Sequence, residues 1–108
     1  MSEIQNRAVQ IFHAQPDGAP ITTEEFRQQM LRASLALYQA LGGTEAMARE
    51  LIDESVQRQP GTVDASVGDL MMALAGVSYL QDMDMMQAAY NTLRQRLRQM
   101  QDVSLAAE

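Results

Sequence analysis

The sequence predicts an all-α fold, and two observations support this prediction. Apolar residues recur every three or four positions along most of the chain, and no stretch alternates polar and apolar residues with a period of two. Helix-capping residues and Pro/Gly breaks then divide the chain into five segments. With 108 residues, of which 46% are hydrophobic, the chain suits one small folded domain. We therefore expect a four- to five-helix bundle.

The first segment runs from Glu3 to about Ala14 and precedes a cluster of Pro and Gly residues between Pro16 and Pro20. Such a cluster predicts a hinge, because proline and glycine interrupt helices. We expect residues 1–20 to form an N-terminal helical arm and hinge. Residues 21–108 would then form the helical bundle domain.

The next two segments begin at recognisable caps. Thr22 with Glu25 three residues later makes a capping box, which predicts the start of the second helix. Gly42-Gly43 ends this helix. The third segment begins at Thr44 and ends before the break at Pro60-Gly61.

The last two segments differ in polarity. The fourth, from about Ala65 to Gln81, is apolar almost all round, and this pattern predicts a buried central helix. The fifth, from near Asp84 to about Gln101, carries a short heptad seam. The residues of this seam are Met86, Tyr90, Leu93, Leu97 and Met100. The seam and the small core predict a homodimer or homotetramer.

Composition excludes several classes of protein. A net charge of −6 and a pI near 4.6 argue against binding to nucleic acid. No basic segment leads into an apolar run at the N-terminus, and the apolar stretch from Leu70 to Leu80 is short for a membrane span. The absence of cysteine suits a reducing compartment. We expect a cytoplasmic protein that binds neither nucleic acid nor membranes.

Most covalent catalytic schemes are excluded by composition, so we assign no catalytic nucleophile or base. The chain has no cysteine, no lysine and one histidine, His13, which we expect to be exposed at the end of the first helix. Carboxylates remain. Glu50 and Asp53 lie three residues apart and share one helix face, and their oxygens suit Mg²⁺ or Mn²⁺. A solvated helix face is the alternative explanation for both.

Asp69 is a further candidate because its carboxylate enters the most apolar segment of the chain. A buried acid requires a partner or a metal ion. The alternative is a position near the helix N-terminus, where the helix dipole favours an acid. The sequence alone supports both explanations equally.

The stretch from Ser66 to Leu74, followed by Asp82 to Ala88, resembles the second half of the all-α nucleotide pyrophosphohydrolases of MazG type. That family carries an E-x-x-D motif on an apolar helix and E-E-x-x-E on the helix before it. The resemblance implies a magnesium ion, replaceable by manganese, that activates water against a nucleoside triphosphate. The implied ligands are Glu50, Asp53 and Asp69, whereas Ser66 and Arg49 stand where the family has acids.

Two further assignments complete the sequence-based interpretation. Arg94 and Arg98, in the basic part of the last helix, are candidates to bind the substrate phosphates. The alternative function is a non-catalytic helical interaction module, such as a chaperone, an adaptor or an inhibitor of another protein. Its support is a group of methionines, which suit adaptable binding surfaces but also fill cores. These are Met71, Met72, Met83, Met85 and Met86.

Overall fold

The computed structural model describes residues 1–14 and 22–107, with the side chains of residues 103–107 left out. The described residues form five helices and no strand, so the predicted all-α class is confirmed. The hinge predicted between Pro16 and Pro20 lies outside the described residues. The helices are α1 (Glu3–His13), α2 (Thr23–Ala40), α3 (Glu45–Ser55), α4 (Val63–Leu80) and α5 (Met85–Ala107).

Side-chain caps mark the starts of α1, α2, α3 and α5. Thr22 accepts a hydrogen bond from the backbone N–H of Glu25 at 3.1 Å, and Ser2 and Thr44 cap α1 and α3 in the same way. The Oδ1 atom of Asp84 accepts from the backbone N–H of Gln87 at 2.9 Å. Each cap satisfies a donor that a helix start leaves free and contributes ~1 kcal/mol. The predicted starts of α2, α3 and α5 are therefore confirmed.

Helices α2 and α4 end in the same kind of turn. Gly42 has a φ angle of 91°, and the N–H of Gly43 bonds back to the carbonyl of Tyr38 at 2.9 Å. At the end of α4, Asp82 has a φ angle of 54° and the N–H of Met83 bonds to the carbonyl of Ser78 at 3.0 Å. Both turns are Schellman motifs, which require a left-handed residue just beyond the helix.

The two helix–turn–helix segments correspond position by position. Helices α2 and α4 each have 18 residues. A constant offset along the chain relates their first residues, their left-handed turn residues and the caps of the following helices. The corresponding pairs are Thr23 with Val63, Gly42 with Asp82, and Thr44 with Asp84. This backbone repeat is not visible in the residue types, because Gly42 corresponds to an aspartate.

The chain divides into two compact units, and we describe each separately. One unit comprises Met1–Ala19 together with Val63–Glu108, and the other comprises Pro20–Thr62. In the first unit, α5 packs against α1, and it contacts α4 near the turn that joins the two helices. The segment predicted to be an N-terminal arm therefore lies against α5 of its own chain.

The described residues include no buried hydrophobic side chain, and Ser78, with 8% exposure, is the one buried residue among them. Helix α4 differs most from expectation, because Met72 is 74% exposed and Tyr79 is 82% exposed. The expectation of a buried central helix was wrong for the single chain. Its residues Leu74 and Val77 are half-buried beside Ser78, whereas residues 63–73 are exposed on every face of the helix.

Helix α4 is also long and apolar enough to cross a membrane, judged by length and composition alone. It has 18 residues with a mean hydropathy of 1.2. The core helix of a soluble protein meets the same criterion, so one such helix is weak support for a membrane protein. The expectation that the chain does not enter membranes stays a prediction.

Candidate carboxylate site

Helix α3 carries four acidic residues, and two of them are paired with arginine. Glu45 contacts Arg49 at 2.6 Å, and Glu54 contacts Arg58 at 2.8 Å. The remaining acids, Glu50 and Asp53, are exposed and have no hydrogen-bond or ion-pair partner in the described part of the chain. A separation of three residues puts both on one face of α3. These two carboxylates are therefore available to a cation.

Arg49 stands next to Glu50 in the sequence, and its positive charge would oppose cation binding if its guanidinium group lay beside Glu50 and Asp53. Its Nε and Nη2 atoms donate to Oε1 of Glu45 at 3.0 and 2.6 Å. The guanidinium group is thus directed one turn back along α3, away from Asp53. Exposed pairs of this kind contribute only ~0.3 to 0.5 kcal/mol, so their role here is to hold the arginine rather than to stabilise the fold.

Asp69 lies in the second turn of α4, three residues after Ser66. The structure leaves its side chain exposed, with no described partner, so burial, one of the two explanations offered by the sequence, does not hold for the single chain. The helix dipole does not explain the position either, since α4 begins at Val63 and the effect fades after the first turn. Asp64 occupies the first turn instead.

The described residues contain no group of three or more His, Asp or Glu side chains placed to hold a metal ion. Glu50 and Asp53 belong to one compact unit and Asp69 to the other. Glu50, Asp53 and Asp69 nevertheless have suitable chemistry for a magnesium site, because unpaired carboxylate oxygens are the ligands that magnesium prefers. The three-ligand set stays a prediction.

The two arginines proposed to bind phosphate lie one turn apart on α5. The Nη2 atom of Arg94 donates to Oδ1 of Asn91 at 2.8 Å, and Arg98 is exposed. Arg94 also stands at a cleft of about 380 Å³ between α1 and α5. The cleft is lined by Arg7, Gln10, Ile11, Ala14, Leu93, Arg94, Leu97 and Met100. The phosphate-binding roles of Arg94 and Arg98 stay predictions.

A polar cluster joins α1 to α5, and sequence reasoning missed it. The hydroxyl of Tyr90 donates to Oε2 of Glu3 at 3.0 Å, and Oε1 of Glu3 contacts Arg7 at 2.8 Å. The guanidinium of Arg7 lies 5.3 Å from the centre of the Tyr90 ring. The hydrogen bond to Glu3 raises the pKa of Tyr90, because the carboxylate favours the protonated phenol. The available signal was the spacing of Glu3 and Arg7, four residues apart on α1.

The same packing bears on the predicted oligomer seam of α5. Tyr90 contacts α1, and Leu93, Leu97 and Met100 line the cleft that α1 borders. Met86 is exposed. Part of the seam therefore faces α1 of its own chain, and its role between subunits stays a prediction.

Comparisons with known proteins assign no family to the chain. No family model matches it, and searches of curated proteins and of solved structures find no significant match.

Proposed function

We propose that the chain is a divergent, magnesium-dependent nucleoside triphosphate pyrophosphohydrolase of MazG type that works as a homo-oligomer. The observation that supports this proposal is the pairing pattern on α3. Glu50 and Asp53, the two positions of α3 that the family resemblance assigns to metal, are the two acids of α3 without an arginine partner. Ion pairing and motif position are independent properties, and they select the same residues.

In the proposed reaction, water attacks the α-phosphorus and pyrophosphate leaves, so that a nucleoside monophosphate remains. Glu50, Asp53 and Asp69 would hold magnesium, which neutralises phosphate charge and lowers the pKa of the attacking water. Arg94 and Arg98 would bind phosphate oxygens. Ser66 supplies a neutral hydroxyl where the family has an acid, so the site has one negative charge fewer. We therefore expect weak metal binding and slow turnover.

The proposal includes assembly because the single chain leaves its apolar surfaces uncovered. No hydrophobic side chain is buried among the described residues, although apolar burial is the main favourable contribution to folding. A chain of this size buries proportionally little of its own surface. We propose that copies of the chain complete a helical bundle and thereby cover α4.

The test of the metal site is a thermal unfolding titration with Mg²⁺. A ligand that binds the folded state raises its melting temperature, so millimolar Mg²⁺ should stabilise the native protein. Asp53→Asn and Asp69→Asn should each abolish this rise. The matched control is Glu54→Gln, adjacent to Asp53 but paired with Arg58, and it should retain the response. A response that survives Asp53→Asn, or no response in the native chain, contradicts the proposal.

A second candidate function is a protein-interaction module, and the exposure of several methionines favours it. Met71, Met72, Met83 and Met86 are all exposed rather than packed as core residues. Flexible, polarisable methionine side chains adapt to varied apolar partners. This candidate predicts that Mg²⁺ does not affect the melting temperature and that no pyrophosphate is released. Polar substitution of Met71 and Met72 should then change association alone.

A further inference from the structure

The cleft of about 380 Å³ lies between α1 and α5, which belong to the same compact unit. Its volume falls within the ~300 to 1,000 Å³ that is typical of small-molecule sites. Most of its wall is aliphatic, with Ile11 and Ala14 from α1 and Leu93, Leu97 and Met100 from α5. The described residues that line it include no aromatic ring and no acid. This lining suits a flexible alkyl chain better than a planar ring.

The charged and the apolar parts of the cleft lie toward opposite ends. Arg7 is the first cleft residue of α1, and its guanidinium lies 5.3 Å from the centre of the Tyr90 ring. Arg94, one turn after Tyr90 on α5, also lines the cleft. Leu97 and Met100 continue the wall for ~9 Å beyond Arg94. The cleft therefore has a cationic end beside Tyr90 and an apolar end toward Met100.

Other side chains hold both guanidinium groups in place. Arg7 contacts Oε1 of Glu3 at 2.8 Å. The Nη2 atom of Arg94 donates to Oδ1 of Asn91 at 2.8 Å, and the same oxygen accepts from Nε2 of Gln87 at 2.9 Å. Side chains that are already ordered lose less conformational entropy when a ligand binds. The cationic end is thus prepared to receive an anion.

The charge balance at the cationic end fits a ligand with one negative charge. Glu3 offsets the charge of Arg7, whereas Asn91 is neutral and no acid in the described part of the chain pairs with Arg94. One uncompensated positive charge remains, in a chain whose net charge is −6. A guanidinium group binds a carboxylate through two parallel hydrogen bonds. Without a metal ion, a doubly charged phosphate would leave one negative charge unmatched.

We propose that the cleft binds a single-chain fatty carboxylate, with its head group on Arg94 and its alkyl chain along Leu97 and Met100. This site goes beyond the proposed magnesium site, because it uses none of the three proposed metal ligands. Arg94 also serves in the proposed phosphate site, so the experiments contain neither nucleotide nor Mg²⁺. Their failure would leave the outcome of the metal titration unaffected.

Isothermal titration calorimetry of the full chain with decanoate tests the ligand class. Decanoate should bind saturably, and octanoate should bind roughly 15-fold more weakly, because each buried methylene contributes about fourfold. Decan-1-ol has the same chain without the charge and should bind roughly tenfold more weakly. Decyl phosphate in its doubly charged form should bind no more tightly than decanoate.

Two exposed arginines of α5 provide a matched pair of variants. Arg94→Gln should weaken decanoate binding roughly tenfold, since a hydrogen bond to a charged group is lost. Arg96→Gln removes the same charge, but Arg96 lies ~200° round the helix from Arg94 and does not line the cleft. The Arg96 variant should therefore bind decanoate like the native chain. Circular dichroism checks that both variants keep their helix content.

Methionine methyl resonances, followed by NMR, locate the bound chain. Decanoate should shift the methyl signal of Met100, which lines the apolar end of the cleft. It should leave the signal of Met72 unchanged, because Met72 is 74% exposed on α4 and lies outside the cleft.

Several results would overturn the proposal. Decanoate that does not bind saturably, or that binds no better than decan-1-ol, would remove the anionic ligand. Unchanged binding by Arg94→Gln would place the head group elsewhere, and tighter binding of decyl phosphate would contradict the single-charge argument. A shift of Met72 without a shift of Met100 would identify another apolar surface. Decanoate binding that weakens as protein concentration rises would identify a second copy as the occupant of the cleft.

Discussion

Asp82 is the most informative position for testing the turn geometry, because it is a non-glycine residue with a φ angle of 54°. The left-handed conformation costs an L-residue roughly 1 to 2 kcal/mol, with aspartate toward the lower end. Glycine avoids this cost but has more unfolded-state entropy, which offsets roughly 0.4 to 1 kcal/mol. The described structure shows no hydrogen bond from the Asp82 side chain. We therefore expect Asp82→Gly to stabilise the protein by ~0.5 kcal/mol.

The matched control is Gly42→Ala, at the corresponding position after α2. A Cβ atom there would touch nothing within 4 Å, so the effect is confined to the backbone. The cost of the left-handed backbone and the gain from lower unfolded-state entropy now act in the opposite direction, and we expect destabilisation of ~0.5 to 1 kcal/mol. Urea unfolding followed by far-ultraviolet circular dichroism, at one fixed protein concentration, measures both variants. If Asp82→Gly lowers stability, the assignment of the turn after α4 is wrong, and if Gly42→Ala raises stability, the assignment of the turn after α2 is wrong.

Three further predictions concern tyrosines and their neighbours. The pKa of Tyr90 is raised above its ordinary 10.0, so the hydrogen bond to Glu3 stabilises the fold below pH 10 and is lost as pH rises through the higher folded-state pKa. In a titration followed by tyrosinate absorbance, one tyrosine should ionise at higher pH than the others, and Tyr90→Phe should remove that group. The Tyr38 hydroxyl is buried without a hydrogen-bond partner in the described residues, so Tyr38→Phe should raise the free energy of unfolding by ~1 kcal/mol. A clear loss of stability would mean that the hydroxyl does form a hydrogen bond. Gly43→Ala should lower the melting temperature, because its Cβ would overlap the Tyr38 ring, whereas an unchanged value would mean that the ring moves freely.

Helix boundaries were largely predictable because their determinants are local. Thr22, Thr44 and Asp84 each cap a helix through a backbone N–H three residues away, and this spacing is visible in the sequence. The start of α4 was placed at about Ala65, whereas the helix begins at Val63.

Packing was less predictable because it depends on residues far apart in sequence. Glu3 and Tyr90 are 87 positions apart, and no local pattern connects them. The exposure of α4 was missed for a related reason, since an apolar helix indicates burial but not whether its own chain or another copy provides the cover. For the candidate site, the shared face of Glu50 and Asp53 was predictable from their spacing. The solvent exposure of Asp69 was not.

The most direct test of the proposed function is pyrophosphate release from nucleoside triphosphates, measured by phosphorus NMR with and without Mg²⁺. The native chain should slowly produce nucleoside monophosphate and pyrophosphate, and only when Mg²⁺ is present. Asp53→Asn and Asp69→Asn should abolish release, while Glu54→Gln should retain it. No release by the native chain, or release that persists in both asparagine variants, would contradict the assignment of these carboxylates to a magnesium site.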